Sequence, residues 1–144
     1  SQGRTTGRRG ELLMAAPTRK CSAKDRSGRM AKARQFSDAA TLISELASDD
    51  SNLGDAYITL CVHAGIAAAD VICCSRLGVH ASGQDHAAAA ALLDKADAGL
   101  GKELRRLLGL KTKAGYSSAP SSAADQKVAG RASTRLVDAA TTSR

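Results

Sequence analysis

Aromatic side chains are almost missing from this chain. Phe36, Tyr57 and Tyr116 are the only three in 144 residues, and there is no tryptophan. A core must then be built from Leu, Ile, Val and a large amount of Ala. Such residues favour closely approaching helices over sheets, which prefer β-branched and aromatic side chains. The scarcity also argues against strong recognition of single-stranded bases by stacking, for which Tyr116 would be the only platform among the basic residues near it. No Gly-rich phosphate loop is expected, since Gly99 and Gly101 follow no strand. No uninterrupted apolar run of the roughly 18 to 20 residues needed to span a membrane is read, and the Arg-rich N-terminus lacks a following apolar leader segment. The expectation is a soluble, cytoplasmic protein with no membrane contact.

The length suits one domain large enough to fold without disulfides or metal. Cys61, Cys73 and Cys74 fall within an apolar helical stretch, where free cysteine behaves as a small hydrophobe, and Cys21 stands apart. No disulfide framework, no CxxC spacing and no metal or cofactor is expected.

The formal charge of +7 is unevenly spread. Residues 1–30 carry eight Lys/Arg against two Asp/Glu, whereas residues 31–144 carry thirteen against twelve. The first 30 residues, with glycines among their charges, are expected to form a disordered basic tail able to hold nucleic acid loosely through phosphates. They read equally as an extension preceding a natural start at Met30.

From residue 31 onward the pattern is helical. Phe36, Ala39, Ala40, Ile43, Leu46 and Ala47 form a stripe at helical spacing, predicting a helix over 31–47. Asn52 and Asp55 resemble a cap and acidic first turn for a long second helix ending near Leu77, with Gly78 as its stop. Ser82 and Asp85 repeat the cap pattern before a third helix over 87–98. Leucines at 100, 104, 107 and 108 mark a fourth helix with a basic outer side. After a Ser-rich turn around Pro120, Ser122 and Asp125 cap a fifth, whose inner stripe is Val128, Ala132, Leu136 and Ala139 or Ala140. The fold class expected is all-α, a compact up-down bundle of about five helices in a single domain over 31–144.

Candidate functional residues are the polar groups set among small apolar ones. His63 and Asp70 lie seven apart, on nearly the same helix face but about 10.5 Å apart along it, so each needs a partner from another element. His86 is the expected neighbour of Asp70. A site of two histidines and Asp70 for a metal has no local ligand spacing behind it. Lys102, Arg105, Arg106, Lys111 and Lys113 form a basic run, read either as a phosphate-binding face or as a solvated one.

The order of these features resembles the HEPN domain family. It comprises an Ala-rich helix with His63-Ala-Gly-Ile-Ala-Ala-Ala-Asp70, a turn into Gly83-Gln-Asp-His86, a Leu-rich segment ending Lys111-Thr-Lys-Ala-Gly-Tyr116, and a final Ala-rich helix. The resemblance covers roughly residues 36–140. It implies a helical bundle, a homodimer and engagement of RNA, a nucleotide or a nucleotidyltransferase-type partner protein, with His63, Asp70, Lys102, Arg105, Arg106, Lys111 and Tyr116 as the binding candidates. Catalytic members place four to six residues between Arg and His. Here Arg76 precedes His80 by three intervening residues and His86 by nine, so the expected role is a non-catalytic binding or dimerisation module. The alternative is a metal-independent ribonuclease in which Arg76, His80 and His86 form a displaced site. Pairing of two copies is expected through the Ala- and Gly65-bearing second helix or the turn from Arg76 to His86.

Overall fold

The computed structural model describes residues 17–48, 52–83 and 85–143. It is a compact bundle of five α-helices with one small two-stranded sheet. In chain order these are β1 (Thr18–Lys20), α1 (Ala23–Leu46), α2 (Gly54–Leu77), β2 (Val79–Ala81), α3 (His86–Ala96), α4 (Ala98–Tyr116) and α5 (Ala123–Thr142).

The punctuation explains these boundaries. Gly78 ends α2 in the left-handed conformation at φ 75, which glycine adopts without a Cβ penalty. Asp85 caps α3, Asp97 caps α4, and Ser122 with Asp125 forms a reciprocal capping box for α5. Two cap expectations are corrected. Ser82 donates its backbone N–H to Pro17 and caps nothing, and Leu53 rather than Asn52 precedes α2, with no side-chain cap.

The largest correction lies at the N-terminal side. Residues 18–20 form β1, antiparallel to β2 with Arg19 opposite His80, and α1 begins at Ala23, well before residue 31. Ser22 and Asp25 form a second capping box, so the helix has a proper start inside the segment expected to be disordered. The part of that expected tail covering residues 1–16 lies outside the described residues, as do Asp49, Asp50 and Ser51 of the first turn and Gln84. A disulfide, Cys21–Cys74, ties this start to α2, correcting the expectation that no bridge forms. It closes a loop over a sequence separation of 53, worth about 4 kcal/mol by loop-closure entropy. Such bridges persist in oxidising compartments, so cysteine usage no longer argues for a cytoplasmic location.

α2 is the central element, packed by α1, α3, α4 and α5. By length and composition it is apolar enough to cross a membrane, which corrects the reading that no such segment exists, and most of it is buried in the bundle. Its Ile58, Val62, Ala64, Ala67, Ala68 and Ile72 meet Leu93 of α3, Leu104 and Leu107 of α4 and Leu136 of α5 in one core. Each fully buried Leu or Ile contributes about 1.5 to 3 kcal/mol. A Cβ at Gly65 would strike Leu107 Cδ1 and press on Leu136 Cδ1. The close approach that Gly65 allows is therefore used within the chain. Val128, expected on the inner stripe of α5, is largely exposed, and Ala129, Ser133 and Ala140 face inward with Ala132 and Leu136.

Contacts along the chain set the directions. Arg29 meets Asp70 and Phe36 meets His63, so α1 and α2 run antiparallel. Asp94 meets Arg105, and Lys113 meets Asp125, so α3 with α4 and α4 with α5 do the same. Between α2 and α3 the chain folds back through β2.

Candidate functional site

Three of the residues singled out in the sequence come together. His63, Lys111 and Tyr116 line a shallow groove of about 190 Å³ between α2 and α4, with Thr59 and Val62 as its apolar side. His63 is exposed there, not a core histidine, and its ring lies 5.3 Å from that of Phe36 at a tilt of 33°. Tyr116 is 81% exposed at the end of α4. Lys111 donates to His86 Nε2 at 2.8 Å, which makes this nitrogen the acceptor of a neutral ring. Burial pushes the His86 pKa down, and the charge of Lys111 beside it pushes the same way, with Asp85 opposing and His63 adding a smaller depression. A neutral His86 with its acceptor nitrogen occupied by Lys111 is a poor general base.

Asp70 has a different partner from the one expected. It shares a crevice of about 10 Å³ with His86, enough for one water at most, but its ion pair is with Arg29, whose Nε lies 2.8 Å from Oδ2. Burial raises the Asp70 pKa, while Arg29 and then His80 pull it back down. Arg29 lies within the 30 residues expected to form a tail. Nothing in the apolar pattern after residue 31 points to it, whereas the Ser22-x-x-Asp25 capping box does place it in a helix.

The proposed catalytic trio is dispersed. Arg76 pairs with Asp97 at 3.6 Å and donates to Ser143 Oγ at 3.5 Å. His80 sits in β2, where Nδ1 lies 2.9 Å from the carbonyl of Ala81, so Nδ1–H donates there. His86 belongs to the Lys111 groove. Within one chain these three side chains are held by separate partners.

The basic run on α4 is largely neutralised. Arg105 makes a two-pronged pair with Asp94, at 2.9 and 2.5 Å. Arg106 and Arg135 both hold Glu103, which is only 4% exposed. Lys113 pairs with Asp125. The hydrogen bonds from Arg105 hold the Asp94 pKa down, and the Ser22 and Ser122 caps do the same for Asp25 and Asp125. Of the run, Lys102 alone makes no ion pair or hydrogen bond among the described residues. Glu103 is the residue that sequence reasoning missed here, since its second partner comes from α5.

The opposite holds on β1 and the first half of α1. Residues 19–34 carry seven Lys/Arg against the single Asp25. Only Arg29 forms an ion pair among the described residues, and Asp25 is engaged in its capping box. Arg19, Lys20, Lys24, Arg26, Lys32 and Arg34 are cations without a carboxylate partner among the described residues, and all but Arg26 are exposed. No group of three His, Cys, Asp or Glu among the described residues is arranged to hold a metal ion.

Compared with known proteins, the chain matches no family model, no curated protein and no solved structure.

Proposed function

We propose that this chain is a non-catalytic, HEPN-like helical binding module whose ligand is RNA. The observation that carries this reading is the basic surface of Arg19, Lys20, Lys24, Lys32 and Arg34 on β1 and α1, which has no carboxylate partner among the described residues. Phosphates bound there would displace condensed counterions without first breaking an internal salt bridge, whereas on α4 each of Arg105, Arg106 and Lys113 would have to leave a carboxylate. The small groove with Lys111, His63 and Tyr116 adds one cation and one exposed ring, suited to a single unstacked base or a backbone phosphate.

Binding is favoured over cleavage because Arg76, His80 and His86 have separate partners and His86 has no free acceptor nitrogen. The test is a fluorescence anisotropy titration with a short single-stranded RNA across a range of salt, run beside a cleavage assay in chelator. The reading expects binding that weakens steeply with salt, log K falling about 0.7 per tenfold rise in salt for each phosphate neutralised, and intact RNA at the end. Salt-independent affinity would remove the phosphate contacts from the account. Cleavage abolished by replacing His80 or Arg76 would favour the ribonuclease alternative instead.

A further inference from the structure

A second groove, of about 410 Å³, runs between the first half of α1 and the C-terminal ends of α2 and α5. The bridge Cys21–Cys74 and the pair Arg29–Asp70 set the α1/α2 register, which brings Ser75 alongside the first turns of α1. Arg26, Met30 and Arg34 follow one another at four-residue spacing and form the α1 wall. The two arginines are about 12 Å apart along the helix axis, with Met30 between them.

Hydroxyls gather at the Arg26 end. Ser27, Ser75 and Ser143 all line the groove. Ser143 Oγ also receives Arg76, which brings a third guanidinium to the rim. Ser75 Oγ is fully buried and has no hydrogen-bond partner among the described residues. A buried hydroxyl left in this state is destabilising unless a ligand or water satisfies it. Ser75 is itself one of the residues that line the groove. Met30, Ala31, Val71 and Ala140 supply an apolar floor beyond this polar end.

We infer that this groove binds a phosphate group through Arg26, Ser27 and Ser75. An unpaired guanidinium presents several N–H donors to phosphate oxygens, and serine hydroxyls donate to those that remain. The site deepens the RNA-binding reading and rests on it for the source of the phosphate, which is either a free mononucleotide or an RNA strand. In both cases the apolar floor receives what is attached to the phosphate.

The test uses the whole chain and inorganic phosphate, followed by calorimetry against chloride at matched ionic strength. Phosphate is expected to bind the wild type, about tenfold more weakly in Arg26→Gln and about threefold more weakly in Ser75→Ala. Ser75→Ala also separates the site from a merely structural role. Removing an orphaned hydroxyl leaves thermal stability equal or higher, so weaker phosphate binding in a stable variant supports the site. Competition assigns the source: displacement by a mononucleotide points to a free ligand, and displacement by 5′-phosphorylated but not 5′-hydroxyl RNA points to a strand end. Phosphate that binds no better than chloride, or equally well to Arg26→Gln, overturns the proposal. RNA affinity that persists in such a case leaves the binding-module reading standing. RNA affinity unchanged in Lys20→Gln/Lys24→Gln, with phosphate binding intact and lost in Arg26→Gln, would do the reverse, leaving this groove standing and removing the basic surface.

Discussion

Residues 19–34 and residues 102–113 are both rich in Lys and Arg, yet the fold treats them in opposite ways. On α4 the cations meet carboxylates from α3, α4 and α5: Arg105 with Asp94, Arg106 with Glu103 and Lys113 with Asp125. On β1 and the start of α1 only Arg29 is matched among the described residues. Counting charge along a sequence does not separate a structural run from a binding surface. What separates them is whether tertiary contacts bring a carboxylate to each cation, and the cost of breaking those contacts then protects the paired run from recruitment by an outside anion.

The first way to sharpen this contrast is to loosen the basic region. Cys21–Cys74 fastens β1 and the first turn of α1 to the core helix. Reduction, or Cys21→Ser, is expected to lower unfolding free energy by about 2 to 4 kcal/mol in denaturant titrations. Hydrogen exchange should rise first at residues 18–30, with α4 and α5 still protected. Uniform loosening of all five helices would mean that the basic region is not separately anchored. Deleting the first 29 residues would take away the bridge and the start of α1, and is expected to destabilise the bundle as well.

A smaller effect is expected on α4. Replacing Arg106 and Arg135 together by Gln leaves the buried Glu103 carboxylate without its cations, at a cost of roughly 1 to 3 kcal/mol. Lys24→Gln/Lys32→Gln, which breaks no ion pair among the described residues, should stay within about 0.5 kcal/mol of the wild type. Equal destabilisation by the two pairs would erase the distinction between them.

The smallest effect is a pH dependence. Burial, with the charge of Lys111, holds the His86 pKa below its ordinary 6.5, opposed by Asp85 and assisted by His63. Above pH 6.5 His86 is neutral whether folded or unfolded and contributes nothing. As the pH falls below 6.5 the unfolded chain takes up the proton first, so stability declines until the folded His86 also protonates. Asp70, whose pKa is raised, acts oppositely nearer its ordinary 3.8, where the folded state binds the proton more readily. His86→Gln is expected to flatten the decline below pH 6.5 in thermal melts. A decline of the same size in that variant would assign it to another group.

The helices were legible where local chemistry marks them. Gly78 as a stop, Asp85 as a cap and Ser122 with Asp125 as a capping box all lie within a few residues of the boundaries they define. The same kind of mark at Ser22 and Asp25 stands among basic residues and near Gly28, a composition that reads as a disordered tail. The leucines of α4 showed which side faces the core, as Leu104 and Leu107 do. The partners of the polar residues were less accessible because they are distant in sequence. Asp70 lies 41 residues from Arg29, Lys111 lies 25 from His86 and Cys74 lies 53 from Cys21. Periodicity places a side chain on a face but does not say which face of which helix it will meet. His63 illustrates this: its neighbours on α2 are apolar, yet the groove between α2 and α4 leaves it exposed beside Phe36.

The central claim, that RNA is held by the unpaired basic surface and not by the paired one, is tested most directly by neutralising each in turn. Arg19→Gln, Lys20→Gln, Lys24→Gln and Lys32→Gln combined should weaken RNA binding about 100-fold at low salt and lower the slope of log K against log salt by about 2 to 3. Lys102→Gln, Arg105→Gln and Lys113→Gln combined should leave affinity within about threefold and the slope nearly unchanged. The reverse pattern, with affinity lost from the α4 variant and retained by the β1 and α1 variant, would contradict the account.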